Sequence, residues 1–343
     1  GTRVQSWTLR EAVAPTPVDI VIPIYNEQDC LLDFHAALRG VVDALPYAFT
    51  FIYVNDGSSD ASGDLLDQIA AADPRATVLE LSRNFGHQAA LTAGLDASTG
   101  QYVVSMDGDG QHPPALLPEM LRLADSGYEV VLTQRAEDET GAFKRSTSAL
   151  FYRLLNRIGN TRILPGAADF RLLARPVVDA LCGMREYHRF LRGMVAWSGY
   201  RTVILPYREP ERMGGRSKYS LAKMLRLAGD AVFSFSLVPL YIGISLGVIL
   251  LLLALAEMIY VLSFWVTGNI SGLAPGWSSL MFVLLVIGGT LMITLGFIGV
   301  YVGFIFQEVK GRPIYLVRKR TPETGAAERP DSGAGEFTYT KDR

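Results

Sequence analysis

Asp107 and Asp109 stand one glycine apart at the end of the apolar run Val103-Val104-Ser105-Met106, and Gly110-Gln111-His112-Pro113-Pro114 follows them. In an extended chain residues two apart point the same way, so the two carboxylates converge on one cation. Their hard oxygens suit Mg²⁺ or Mn²⁺, ions that keep positions open for phosphate oxygens. Bridging a diphosphate, such an ion would offset charge on a departing nucleotide. Acid pairs of this spacing also occur in solvated surface loops; the apolar strand that ends in this one separates it from that case. Asp56 closes a second apolar run in Tyr53-Val54-Asn55-Asp56-Gly57-Ser58-Ser59-Asp60. Its carboxylate either accepts hydrogen bonds from a nucleobase or ribose, or serves a helix N-terminus, a role that Ser58 or Ser59 would fill equally well.

The elements that position these acids follow a repeating pattern. Residues 18–24 form a β-branched run ending at Pro23 and the turn-like Tyr25-Asn26-Glu27, with a helical stretch to about residue 44. The same order recurs with 49–54 before Asp56, with 76–81, and with 102–106 before Asp107. This alternation predicts an α/β fold with parallel strands and helical crossovers. Ligands of such sheets sit beyond the carboxyl ends of the strands, where all three polar clusters fall.

Composition bounds the surroundings. Of 343 residues 49% are hydrophobic and 19% charged, and the apolar excess lies after residue 236. A net charge of -2 argues against nucleic-acid binding. Cys30 and Cys182 alone exclude a disulfide framework and a cysteine-built zinc site, and suit a reducing compartment. Residues 1–17 lack an apolar core and a small-residue cleavage site, so no secretory signal is expected. Residues 237–266 and 280–306 each exceed the roughly 20 needed to cross a bilayer and predict two transmembrane helices. Glu257, inside the first, is expected near the far interface or against the facing helix. The link 267–279 has no Lys or Arg, whereas Lys218, Lys223 and Arg226 precede the pair and Lys310, Arg312, Arg318, Lys319 and Arg320 follow it. Both flanks should therefore face the cytoplasm. The tail after Arg320 is expected to be disordered. In 144–158, Leu150, Phe151, Leu154, Leu155 and Ile158 share a helical face, with Lys144, Arg145, Arg153 and Arg157 elsewhere. Beside the spans this reads as an interfacial helix, against the alternative of a helix packed on the sheet. Residues 219–236 resemble a second such helix. Arg212, Ser217 and Lys218 lie in a Gly-rich segment of a kind that closes over phosphates or stays a solvated loop.

Taken together these motifs resemble family-2 glycosyltransferases of the polyprenyl-phosphate branch. Pro23-Ile24-Tyr25-Asn26-Glu27, Val54-Asn55-Asp56-Gly57-Ser58-Ser59-Asp60, Ser82-Arg83-Asn84-Phe85-Gly86, Asp107-Gly108-Asp109-Gly110-Gln111-His112-Pro113-Pro114, Asp169-Phe170-Arg171-Leu172-Leu173 and Glu211-Arg212-Met213-Gly214-Gly215-Arg216-Ser217-Lys218-Tyr219 appear in the family's order. The catalytic part resembles dolichol-phosphate mannose synthases. The two spans and the ending Gln307-Glu308-Val309-Lys310-Gly311-Arg312-Pro313 are closer to bactoprenol glucosyltransferases.

The resemblance implies a GT-A catalytic domain over 18–236 after an extension 1–17, a two-helix membrane region at 237–306 and a cytoplasmic tail at 307–343. It implies that Pro23, Tyr25, Glu27 and Asp56 hold the donor nucleoside, and that Asp107, Asp109 and Gln111 surround the metal and diphosphate. Arg135 matches an arginine near the donor and acceptor phosphates, and Arg212, Ser217 and Lys218 match a loop folding over the diphosphate. Asp169 would orient acceptor or sugar, or bond structurally to Arg171. Gly108 and Gly110 stand where relatives often carry Ala and Leu, which predicts a more flexible metal loop. A Gln-x-x-Arg-Trp motif is missing, which speaks against a processive synthase. The implied reaction is inverting transfer of a sugar, glucose from UDP-glucose first, to undecaprenyl phosphate at the cytoplasmic face of the inner membrane. N-acetylhexosamines, mannose and modified arabinose are the alternative sugars. The competing classes are a non-catalytic nucleotide-sugar-binding membrane protein and a transferase acting on protein or polysaccharide. Relatives imply homo-oligomeric assembly through the spans and tail.

Overall fold

The computed structural model describes residues 14–135, 167–186, 189–207, 238–267 and 276–321. Its first half follows the β/α alternation: β1 (Pro17–Ile24), α1 (Leu31–Val42), β2 (Ala48–Asn55), α2 (Ser62–Ala72), β3 (Ala76–Leu81), α3 (His87–Ala97) and β4 (Tyr102–Ser105). A 3-10 turn at Pro114–Leu116 leads into α4 (Leu117–Asp125) and β5 (Val130–Arg135). β6 (Ala167–Ala174), α5 (Arg175–Gly183), α6 (Leu191–Trp197) and β7 (Thr202–Tyr207) follow. Two long helices, α7 (Val238–Val266) and α8 (Trp277–Val309), precede a last strand, β8 (Val317–Thr321).

The strands form one sheet in the order β7-β5-β6-β4-β1-β2-β3-β8. β1, β2, β3 and β4 pair in parallel, as do β5 and β7; β6 runs antiparallel between β4 and β5. Strand alternation divides the core between the two faces. Val18, Ile20, Ile22 and Ile24 point into one, with Leu31, Leu38, Leu66 and Met120 from α1, α2 and α4. Val21, Ile52, Val54 and Val103 point into the other, with Leu91, Val178 and Met194 from α3, α5 and α6. Both faces are therefore covered, as a parallel sheet requires. Asp19, buried on β1, accepts the N–H groups of Thr99 and Gly100 and so fixes the turn into β4.

α7 and α8 have 29 and 33 residues. They approach closely at Gly243, where a Cβ would lie 2.9 Å from Cγ2 of Thr294. Leu252, Leu253, Ile259, Leu291, Met292 and Ile293 stand exposed on them. Residues Val286–Val309 are long and apolar enough to cross a membrane by length and composition. α8 stops at Lys310, and Gly311 adopts φ 58, the left-handed turn that glycine tolerates at a helix end. The chain then returns to the sheet, and β8 pairs antiparallel with β3 from Val78↔Thr321 to Leu81↔Val317. Within the tail expected at 307–343, residues 317–321 are thus an edge strand of the sheet. Residues beyond 321, the segments 144–158 and 219–236, and the extension 1–13 lie outside the described residues.

One packing contact is tight enough to test. A Cβ on Gly94 of α3 would lie 2.2 Å from Cγ1 of Val21 in β1. Gly94→Val is expected to lower the unfolding free energy by about 1–3 kcal/mol through overpacking. Thermal or denaturant unfolding checks it, and Val21→Ala in the same background should recover part of the loss.

Candidate active site

The three polar clusters meet at the carboxyl ends of β1, β2 and β4, and hydrogen bonds lace the first two loops together. Asn26, at φ 56, donates its N–H to Oγ of Ser58 and accepts the N–H of Ser59 on its side-chain oxygen. Glu27 donates its N–H to Oγ of Ser62, and Gln28 donates to Asp60 while accepting from Ala61. Ser58 and Ser62 are thus spent on the neighbouring loop, and the residue before α2, Ala61, offers it no side-chain cap. Asp56 is buried, and its two oxygens accept the N–H groups of Phe85 at 2.7 Å and Gly86 at 2.9 Å. Burial pushes its carboxyl up from the ordinary value, against these two bonds. The structural role left open from sequence is therefore present, but it serves the entry to α3, not α2.

The acid pair sits on a loop braced from inside. His112 is fully buried, stacks on Phe170 at 5.2 Å and accepts the N–H of Asp107 on Nδ1 at 2.8 Å. That bond fixes the imidazole with its proton on Nε2. Asp109 accepts the N–H of Gln111 at 3.0 Å, and Gly110, at φ 79, makes the turn. A Cβ on Gly108 would fall 2.3 Å from Cδ1 of Ile24, so Gly108 lies against the end of β1 and a larger residue would need that side chain to shift. Oδ1 of Asp107 is buried with no hydrogen-bond partner. Nε2 of His87 stands 3.6 Å from this oxygen, too far for a hydrogen bond, and a cation would satisfy it more closely. Among the described residues no three His, Cys, Asp or Glu side chains converge to hold an ion by themselves. The donor set therefore fits Mg²⁺ or Mn²⁺ held by one or two carboxylates and completed by substrate phosphates.

Beside it lies a charge cluster that the sequence did not reveal in full. Ser105 pairs with Arg171 across β4 and β6, so two residues further on Asp169 stands opposite Asp107. Asp169 and Arg171 share a face of β6 and form an ion pair. Arg192 of α6 donates to both oxygens of Asp169, at 3.0 Å and 2.8 Å. His87, the first residue of α3, places Nε2 3.4 Å from Asp169 and 3.6 Å from Asp107. Burial raises the cost of ionising Asp169, but Arg171, His87 and Arg192 outweigh it and hold the carboxyl well below its ordinary range. For His87, burial opposes the charged ring, yet Asp169 and Asp107 win and the imidazole titrates above its usual value.

Of the expected residues, Pro23, Tyr25, Glu27, Asp56, Asp107, Asp109, Gln111 and Asp169 gather around these strand ends, with Pro23 inside β1 and Tyr25 exposed. Arg135 is the last residue of β5. Arg212, Ser217 and Lys218 lie outside the described residues. His87, Arg192 and His112 received no role from sequence; the signal for His87 was its place directly after Ser82-Arg83-Asn84-Phe85-Gly86. A cavity of about 240 Å³ lies apart from the acid pair, between α2 and β8, lined by Asp60, Asp64, Asp67, Glu80 and Lys319 among others. Four carboxylates against one ammonium group would repel a nucleoside diphosphate, so the chemistry is not there.

Parallel strands β1 to β4, an antiparallel β6 and an acidic pair past β4 define a GT-A-like α/β fold. Residues 19–182 match the Glycosyl transferase family 2 domain. The chain is 38% identical over 301 residues to the uncharacterized glycosyltransferase YkcC of Bacillus subtilis, covering 88% of this chain and 93% of that protein. It is 34% identical over 307 residues to the bactoprenol glucosyl transferase of Shigella phage SfX, covering 88% and 99%. Among solved structures, mannosyl-3-phosphoglycerate synthase of Rubrobacter xylanophilus is similar with a TM-score of 0.46 at 18% identity, over 63% of this chain and 72% of that one. The chain belongs to glycosyl transferase family 2 and is a transferase.

The charge cluster makes a stability prediction. Asp169→Asn strands the buried Arg171 guanidinium and should cost about 3–5 kcal/mol of unfolding free energy. Because the carboxyl is depressed, its contribution is present above the ordinary carboxylate value of about 3.9 and lost as pH falls through the depressed one. Unfolding measured from neutral to acid pH should show the variant's deficit shrinking below about pH 4.

Proposed function

We propose that this transferase moves a sugar, glucose from UDP-glucose first, to undecaprenyl phosphate at the cytoplasmic face of the inner membrane, with inversion at the anomeric carbon. The observation that carries the reading is the acid pair past the end of β4: Oδ1 of Asp107, shielded from solvent and without a hydrogen bond, faces Nε2 of His87 at 3.6 Å, and Asp109 follows one glycine later. Asp107 and Asp109, with Gln111, would hold Mg²⁺ or Mn²⁺, which when bound offsets charge on the departing nucleotide diphosphate. The lipid acceptor is supported by relatives named bactoprenol glucosyl transferase that match 88% of this chain. The membrane is supported by the apolar exposure of α7 and α8. At about 1.5 Å per residue, a stretch as long as Val286–Val309 spans about 36 Å, enough for a hydrocarbon core. With β7 before the helix pair and β8 after it in one sheet, an even number of crossings returns the chain to the catalytic side. Two spans at 237–266 and 280–306 meet that condition.

Within the catalytic unit at 18–236, Pro23, Tyr25, Glu27 and Asp56 hold the nucleoside. The bonds from Phe85 and Gly86 fix the Asp56 carboxylate and leave each oxygen a lone pair for the ligand. Arg135, Arg212, Ser217 and Lys218 contact the donor and acceptor phosphates. A phosphate monoester has a second pKa of about 6, so the lipid phosphate arrives largely deprotonated near neutral pH. Its oxygen forms the new bond to the anomeric carbon as the bond to the nucleotide diphosphate breaks. Asp169, locked by Arg171 and Arg192, orients groups and takes no proton. Positioning and charge neutralisation supply the rate. The basic, apolar segments 144–158 and 219–236 bring the lipid headgroup to the site, and the chain assembles as a homo-oligomer.

The test is transfer by the purified full chain in vesicles containing undecaprenyl phosphate, with Mn²⁺ or Mg²⁺ and a panel of UDP- and GDP-sugars. UDP-glucose should give the fastest product formation, and excess chelator should stop it. Asp109→Asn should lower turnover by about 10²-fold or more with the fold intact. Undiminished transfer in chelator, or near-normal metal-dependent turnover by the variant, sinks the reading.

A further inference from the structure

The stretch that follows α8 touches the catalytic unit at the element that carries His87. Leu316 accepts the N–H of Ser82 at 2.9 Å, the residue that opens the turn from β3 into α3. The same turn is held from its other side by Asp56, through Phe85 and Gly86. Tyr315 packs against the core face that α3 covers, and its hydroxyl donates to Oδ2 of Asp96 near the end of that helix at 2.8 Å. Arg185 reaches the same oxygen at 3.3 Å. β8 continues along β3, with Lys319 2.9 Å from Asp67 and Arg318 3.5 Å from Glu80. α3 is therefore gripped at its start by Asp56 and near its end by a side chain that belongs to the return from the long helices. Between those grips it presents His87 to Asp107 and Asp169.

We infer that Tyr315 is a positioning residue for the donor side of the active site, acting through Asp96 and α3 so that the return from α8 sets the turn Ser82 to Gly86 and the place of His87. The phenol is tied at a distance in sequence and close in space: Asp96 is 219 residues away, and partial burial of the ring limits competing water. The exposed pairs of Lys319 and Arg318 add little, because water screens them. The inference rests on the reading of this site as a nucleotide-sugar site only for its effect on KM. The grip on α3 is independent of any ligand.

The experiment uses the full chain in lipid nanodiscs and reads hydrogen exchange first. Tyr315→Phe removes one hydroxyl and keeps the ring, so amides over 85–97 should exchange about fivefold faster, the scale of one lost hydrogen bond, while those of β1 and α1 are unchanged. KM for UDP-glucose should rise by a similar factor, with kcat within about twofold of the parent. Asp96→Asn, which keeps an acceptor for the hydroxyl, should lie between parent and Tyr315→Phe, and the double variant should be no worse than Tyr315→Phe alone. Lys319→Ala should match the parent in both measurements. Unchanged exchange over 85–97 in Tyr315→Phe overturns the inference, as does a uniform acceleration that includes β1 and α1. Should the parent bind no UDP-glucose, the donor reading fails, and the exchange result still decides the role of Tyr315.

Discussion

A carboxylate withdrawn from water must be neutralised or hydrogen-bonded, and three acids at strand ends meet that demand in three ways. Asp56 is satisfied by two backbone N–H groups, which makes it a brace for the start of α3. Asp169 is satisfied by two guanidinium groups and an imidazole, which keeps it charged and immobile. Asp107 makes no hydrogen bond through its shielded Oδ1, which faces the His87 imidazole at 3.6 Å. An incoming cation therefore finds at Asp107 a carboxylate oxygen that no hydrogen bond occupies. The surrounding chain is arranged to maintain that inequality: His112 clamps the backbone of Asp107, and Ile24 presses on Gly108.

The sheet supplies the coordinates for this arrangement. Parallel pairing sets the ends of β1, β2 and β4 side by side, and the antiparallel β6 brings Asp169 to the level of Asp107 from the opposite direction. α3 threads the cluster together because its first turn meets Asp56, Asp107 and Asp169 within a few residues. Polar residues that read as separate motifs along the chain are thus one hydrogen-bonded unit.

Much of this was legible in the sequence, and the omissions have physical causes. β1 to β4 announce themselves by β-branched runs closed with polar turns, because both faces of a parallel sheet must be apolar. Their bounds fall within a residue or two of the expected ones. β8, Val-Arg-Lys-Arg-Thr, is an edge strand with exposed side chains; it has no apolar alternation to detect, and its cations protect an open edge. Asp169 and Arg171 could be paired from their spacing, but Arg192 joins them across 23 positions and from a helix, which no local period encodes. His112 was visible within its motif, yet its work as a backbone clamp depends on Phe170 and Tyr207 from distant strands. The close approach of Gly108 to Ile24 was hidden for a similar reason, since the neighbouring atom belongs to β1.

Where β8 lies also has a consequence for biogenesis. The edge of β3, with Val78 and Leu79, pairs only with residues that leave the ribosome after both long apolar helices. Domains fold from their N-terminal parts first during synthesis, so most of the sheet is assembled while this edge still lacks its partner. An open strand edge is a template for wrong pairing, and the interval lasts through synthesis of the helical pair. Completion of the sheet is thereby ordered after synthesis of both long helices: a chain cut short within them would lack its last strand, leave the edge of β3 open and carry a marker of its own immaturity.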